Sequence, residues 1–326
     1  MTEIAHFTVA ATDIDALSAA QGSVAILLAP DGTMDKAGRR ANRLTRGAVE
    51  RLAASESWEK MSAGEAALLS FPSGMAASRL IVAKLGKRPD MMTARKAGAA
   101  IARQAAAGAP LRLELGSHAR AAEVAFGLAL RDYAFTARQT GDKPTRPGAI
   151  TLVSNNPERF DSAFAPLRAL AEGVFFTRDL TNEPANVLTT TEFASRLEGL
   201  RDLGVEVEVL EEDALAELGM GALLGVGQGS TSPSKVVVMQ WKGGAADAAP
   251  VALVGKGVVF DTGGISLKPG PGMEDMTMDM GGAGVVAGVM RAVAGRKAEA
   301  NVIGLIGLVE NMPSGNAQRP GDVVTS

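Results

Sequence analysis

Between Val254 and Asp279 the chain reads VGKGVVFDTGGISLKPGPGMEDMTMD. It opens at the end of Val251-Ala252-Leu253-Val254, a short apolar run closed by Gly255, which reads as a buried strand. In open α/β sheets, ligand chemistry gathers where such strands end. Lys256, Asp261, Lys268 and Asp279 all fall in that position, set among glycines. Charge at the mouth of a buried strand is costly unless it is paired or coordinates a metal. The stretch therefore predicts an α/β fold with a dinuclear metal site at a strand end.

Taken alone, the loop after Val254 leaves three readings open. It is a glycine-rich turn with a structural Lys256–Asp261 ion pair, a metal site, or a phosphate cradle. The cradle is the weakest, because G-x-x-x-x-G-K-[ST] is absent and no hydroxyl follows Lys256-Gly257. Glu274 and Asp275 read as solvated or capping charges at a helix start. Asp279 lies among methionines and glycines, a setting that favours ligation, whereas Lys268 by itself is an ordinary loop lysine.

Outward from this stretch, strands are expected at Val205–Leu210, Lys235–Gln240, Val251–Phe260 and Asn301–Val309. Helices are expected at Thr191–Leu203, Asp213–Leu218 and about Gly284–Ala294. In the first half, strands at Val24–Ala29, Leu80–Ala83, Leu111–Leu115 and Ala149–Val153 alternate with helices at Met91–Ala107 and Ala119–Tyr133. That alternation suggests parallel βαβ units. Residues 139–148 are polar and rich in breakers, and a helical pattern follows from Pro157 to Leu180. The expected architecture is α/β with two domains, each a mixed or mostly parallel sheet flanked by helices. An N-terminal domain covers 1–156, a linker helix 157–181, and a second domain 182–326 carries the candidate site.

Composition narrows the chemistry. At 326 residues, 46% of them hydrophobic, the chain has material for two cores. No apolar stretch approaches the roughly 20 residues that span a bilayer, and no secretion signal opens the chain. The absence of cysteine removes disulfides, Cys-zinc sites and thiol nucleophiles, and fits a cytoplasmic protein. A net charge of −3 argues against nucleic acid as a partner. The only histidines are His6 and His118, so chemistry in the second half runs on carboxylates, lysines and hydroxyls.

Several motifs in order resemble the leucyl aminopeptidase (cytosol aminopeptidase) family. They are Val254–Met280, Glu310-Asn311-Met312-Pro313-Ser314-Gly315, Arg319-Pro320-Gly321-Asp322, Asn182-Glu183-Pro184-Ala185-Asn186, and Gly221 to Ser230. The resemblance covers roughly residues 175–326. It implies an aminopeptidase that releases leucine-like N-terminal residues from peptides, with a hydroxide shared by two divalent ions, zinc, manganese or magnesium. It implies that Lys256 gives a neutral amine to one metal, that Asp261 bridges both, and that Asp279 joins Lys256. Lys268 polarises the substrate carbonyl, and Met276 lines the pocket for the N-terminal side chain. A hexamer of two trimers is implied as well. The family's later NTDAEGR stretch, which supplies an aspartate, a glutamate and an arginine to the centre, has no counterpart here. The chain also ends in a β-like run with nothing to close it. The catalytic domain is therefore expected to be incomplete at its C-terminus, to bind at most one metal well, and to show little or no peptidase activity. The alternative is a non-catalytic binding or assembly module.

Overall fold

A parallel sheet buries both faces, so its strands must be apolar on both sides. The strands of the first half meet that demand. In β2 (Ser23–Leu28) and β4 (Arg79–Lys84), Ala25, Ile81 and Ala83 point into one core, while Val24, Ile26, Leu28, Leu80 and Val82 point into another. The computed structural model describes residues 2–142 and 147–325 and divides into two units, Thr2–Ala171 and Glu172–Ser326. Residues 143–146 of the polar stretch lie outside the described residues.

The first unit adds β1 (Phe7–Ala11), α1 (Lys36–Leu44), α2 (Ala48–Ala53), α3 (Glu56–Lys60), β3 (Ala66–Ser70), α4 (Met91–Gln104), β5 (Leu111–Gly116), α5 (Ala121–Arg131) and β6 (Ile150–Ser154). Its strand order is β1-β6-β5-β2-β4-β3, parallel except for the β3–β4 pair at one edge. One face carries α4 and α5, the other α1 to α3 with the buried Trp58. The close approach of α4 and α5 requires glycine: a Cβ on Gly98 would lie 1.9 Å from the Val124 carbonyl oxygen.

Helix α6 (Pro157–Asn182) contains the split between the units. Its Phe160, Phe164 and Ala171 belong to the first core, its Phe176 and Leu180 to that of the second unit. There α7 (Thr190–Glu198), a 3-10 turn (Gly199–Leu203), β7 (Glu206–Leu210), α8 (Glu212–Glu217), α9 (Gly221–Gly227), β8 (Lys235–Lys242), β9 (Val251–Asp261), a second 3-10 turn (Met273–Met278), α10 (Gly281–Gly295) and β10 (Asn301–Asn311) follow in order. The sheet runs β7-β8-β10-β9 and is mixed: β10 pairs parallel with β9, and the other two pairings are antiparallel. Met239, Ile306, Leu308, Val286, Ala287, Met290 and Phe193 form its core. Strand β9 lies at the sheet edge, and its opening run Val251-Ala252-Leu253-Val254 is largely exposed rather than buried as its apolar composition suggests, with Val254 78% exposed.

Candidate metal centre

Asp261 lies five positions after Lys256, an odd offset, so in a regular strand they would point to opposite faces. A bulge prevents this. Val309 pairs with Val258 and Asn311 with Asp261, so β9 takes three steps where β10 takes two. The extra residue rotates Asp261 onto the face shared by Lys256, Val258 and Asn311. Bulges near active sites commonly re-aim a side chain in this way.

Asp279 reaches the same strand from the other direction. It leaves the turn Met273–Met278 and directly precedes Met280, the residue that starts α10. Helix α10 sits hard against β9, because a Cβ on Gly255 would come within 2.7 Å of the Ala283 Cα. That contact brings Asp279 Oδ1 within 2.5 Å of Lys256 Nζ, the lysine side chain being 61% exposed and the aspartate 21%. The other oxygen of Asp279, Oδ2, is buried and has no hydrogen-bond partner.

Lys268 is returned to the strand end by the glycine turn. Gly263 and Gly264 both adopt positive φ, at 90° and 64°, and the Lys268 amide closes the loop by donating to the Thr262 carbonyl at 2.9 Å. Lys268 Nζ lies 2.7 Å from Asp261 Oδ2, 3.3 Å from the Asp261 carbonyl oxygen and 3.1 Å from Met276 Sδ. Asp261 Oδ1 accepts from the Gly263 amide and from Asn311 Nδ2, each at 2.8 Å. Burial pushes the Asp261 carboxyl up, but the hydrogen bonds from Lys268, Gly263 and Asn311 outweigh it and hold the group below the usual aspartate range.

All five residues singled out in the sequence thus gather at this strand end, in a pair and a trio. Lys256 is with Asp279, and Lys268 is with Asp261 and Met276. The Lys256–Asp261 ion pair expected of a glycine-rich turn is replaced by this crossed arrangement. Glu274 and Asp275 are exposed in the first turn after Gly272. Asn311 and Thr262 belong to the site and were given no role from sequence. The signal for them was a polar residue at the end of each apolar strand. Glu310 Oε2 accepts a short hydrogen bond from Ser230 Oγ, and Glu183 is buried against Arg196 at 2.9 Å, so both of these motif carboxylates have protein partners.

Whether these residues suit a divalent cation can be judged from the donors. Hard divalent ions take carboxylate oxygens, and a deprotonated amine is a competent further ligand. Asp279 Oδ2 is the oxygen such an ion would satisfy, and Lys256 and Asp261 flank the same face. The set is sparse: among the described residues no three of His, Cys, Asp and Glu come together. The donors fit one cation and leave a second without carboxylates of its own.

Residues 175–326 match the cytosol aminopeptidase family, catalytic domain. The chain is 60% identical over 314 residues to a probable cytosol aminopeptidase of Cereibacter sphaeroides, which covers 96% of this chain and 64% of that protein. It is 58% identical over 326 residues to that of Dinoroseobacter shibae, covering 100% of this chain and 66% of the relative. It therefore spans somewhat less than two thirds of the length of these curated relatives. Among solved structures, the bottromycin maturation enzyme BotP in complex with Mn superposes with a TM-score of 0.74 at 32% identity, over 93% of this chain and 62% of that one. A variant of tomato leucine aminopeptidase shares the fold, with a TM-score of 0.77 at 23% identity, over 98% of this chain and 65% of its own. On this likeness and the strand-end cluster it accompanies, the chain belongs to the cytosol aminopeptidase family.

Proposed function

We propose that this protein belongs to a metal-dependent aminopeptidase, hydrolysing the first peptide bond of peptides with a free N-terminus and favouring leucine-like side chains. The observation that carries the reading is the crossed pair of Lys–Asp contacts on one face of β9, with the Asp279 oxygen buried and unpartnered beside them. Lys256, Asp261 and Asp279 would hold the cation, with Lys256 as a neutral amine. A divalent ion in such a place supplies Lewis acidity and activates water. The Lys268 side chain is 36% exposed, and its terminal nitrogen is placed to donate to the carbonyl oxygen of a bound peptide and to stabilise negative charge developing there. Met276, in contact with that nitrogen, gives the substrate side chain an apolar wall.

Manganese is the first ion to try, since BotP was solved with Mn. Zinc and magnesium are compatible with the same donors, and a second ion would need carboxylates from outside the described cluster. With kinship go a cytoplasmic location, a linker role for α6 and a hexamer of two trimers; light scattering tests the last. No helix among the described residues is long and apolar enough to cross a membrane.

Equilibrium dialysis against Mn2+, followed by hydrolysis of leucine amide, tests the reading. Expected are uptake of about one ion, lost in Asp261→Ala, and turnover far below that of full-length relatives, given the sparse donors. A chain that takes up no divalent ion, or an Asp261→Ala variant that takes it up undiminished, overturns the ligand assignment.

A further inference from the structure

Asp261 is the one carboxylate at the strand end whose two oxygens are both engaged, and Asn311 is what distinguishes them. The bulge that turns Asp261 onto the site face also sets it opposite Asn311, the last residue of β10. The Asn311 backbone is fixed independently of its side chain: its carbonyl oxygen accepts from the Thr262 amide at 3.0 Å and from Thr262 Oγ1 at 2.8 Å. The amide group then has one place to go. A carboxylate only accepts, so the NH2 faces Asp261 Oδ1, at 2.8 Å, and the amide oxygen faces away. That oxygen lies under Gly264, where a Cβ would come within 2.7 Å of it. The glycine loop thus closes directly over the Asn311 amide. With the Gly263 amide also on Oδ1, the carboxylate plane is set and Oδ2 is turned to Lys268.

We propose that Asn311 is a positioning residue: its side-chain amide sets the plane of the Asp261 carboxylate, on which both the Lys268 contact and cation binding depend. This deepens the reading of Asp261 as a ligand and rests on it for the cation. Groups that hydrogen-bond to a metal ligand orient it, and losing one costs about 10–100-fold in metal affinity.

The test compares the 326-residue chain with Asn311→Ala, and with Asn311→Leu, which has nearly the shape of Asn but no donor, should alanine not fold. Both keep the backbone clamp to Thr262, so the melting temperature of the metal-free chain should move by only a few degrees. Mn2+ binding, followed by electron paramagnetic resonance, should weaken at least about tenfold with an altered spectrum. Wild-type affinity with an unchanged spectrum overturns the proposal. A metal-free arm separates it from the ligand reading: acetylation of Lys268, read by peptide mass spectrometry, should rise in Asn311→Ala towards the level of Asp261→Ala. If the unaltered chain binds no Mn2+, the ligand reading fails, and the Lys268 arm decides alone whether Asn311 orients Asp261; unchanged labelling overturns it.

Discussion

Each unit has a lysine on a sheet strand, and the two treat the charge in opposite ways. Lys84, the last residue of β4, is 8% exposed. Its ammonium donates to the carbonyl oxygens of Trp58 at 2.6 Å, Met61 at 2.7 Å and Glu59 at 3.3 Å, and lies 5.4 Å from the Trp58 ring centre. All three protons are used on fixed backbone oxygens at the end of α3, so the lysine caps that helix. Lys256 is well exposed and meets an aspartate whose second oxygen has no partner. A lysine on a strand is therefore not a site in itself. What sets Lys256 apart from Lys84 is a side-chain carboxylate partner whose other oxygen is left unsatisfied.

The largest expected effect separates the two regions outright. Asp261→Ala should abolish Mn2+ uptake in equilibrium dialysis, while Lys84→Met should leave it intact. Loss of uptake in the Lys84 variant would mean that the first unit supports the metal centre and that the contrast is false. The Lys84 variant should instead lose about 2–3 kcal/mol of stability in urea unfolding, because buried carbonyls are left without their donor. A loss below about 0.5 kcal/mol would show water taking the place of the ammonium.

Next in size are two pH effects of opposite sign. Glu114, on β5, is 2% exposed, paired with Arg112 at 2.6 Å, and has its second oxygen buried without a partner. Burial pushes its carboxyl up against the pull of Arg112, with Asp35 and Asp13 adding to the rise. The folded chain therefore holds this proton more tightly than the unfolded chain does. The stability it lends is complete below the ordinary glutamate range and is lost as pH rises through the raised value. Asp261, held low, behaves in reverse: its contribution is present above the ordinary aspartate range and is lost as pH falls through the lowered value. Urea midpoints measured from about pH 3 to pH 8 should lose their decline on the neutral side in Glu114→Gln, and their decline on the acid side in Asp261→Asn. The same slope in each variant as in the parent would remove these carboxyls from the account.

Sequence periodicity made the apolar strands and longer helices legible, because Val, Ile and Leu in short runs and Ala-rich amphipathic stretches carry the two periods plainly. Residues 34–70 were not legible. Helix α1, KAGRRANRL, buries only Ala37, Gly38 and Ala41, so no stripe of large apolar residues announces it. β3, AALLS, is a half-buried antiparallel edge. α9 consists largely of glycine and leucine, a composition that reads as loop until Gly225 and Gly227 are seen buried. At the site, the residue types were legible and their pairing was not. Spacing along a regular strand sets Lys256 and Asp261 on opposite faces; the bulge that brings both to one face depends on the register of β10, and their partners Asp279 and Lys268 come from the segments that follow the strand.

The smallest expected effect is also the finest test of the comparison. The Lys256–Asp279 contact is short, yet the lysine is mostly in water, and exposed ion pairs contribute about 0–1 kcal/mol. Lys256→Met in the metal-free chain should therefore shift the urea midpoint by less than about 1 kcal/mol, well under the effect of Lys84→Met. The same substitution removes an amine donor from a sparse set, so Mn2+ affinity should fall even though the fold barely responds. A large loss of stability with unchanged affinity would invert the comparison, making Lys256 a structural residue like Lys84. A small loss of stability with weakened Mn2+ binding is what a lysine kept for a ligand requires, since in the metal-free chain its ammonium only stands in for the cation beside Asp279.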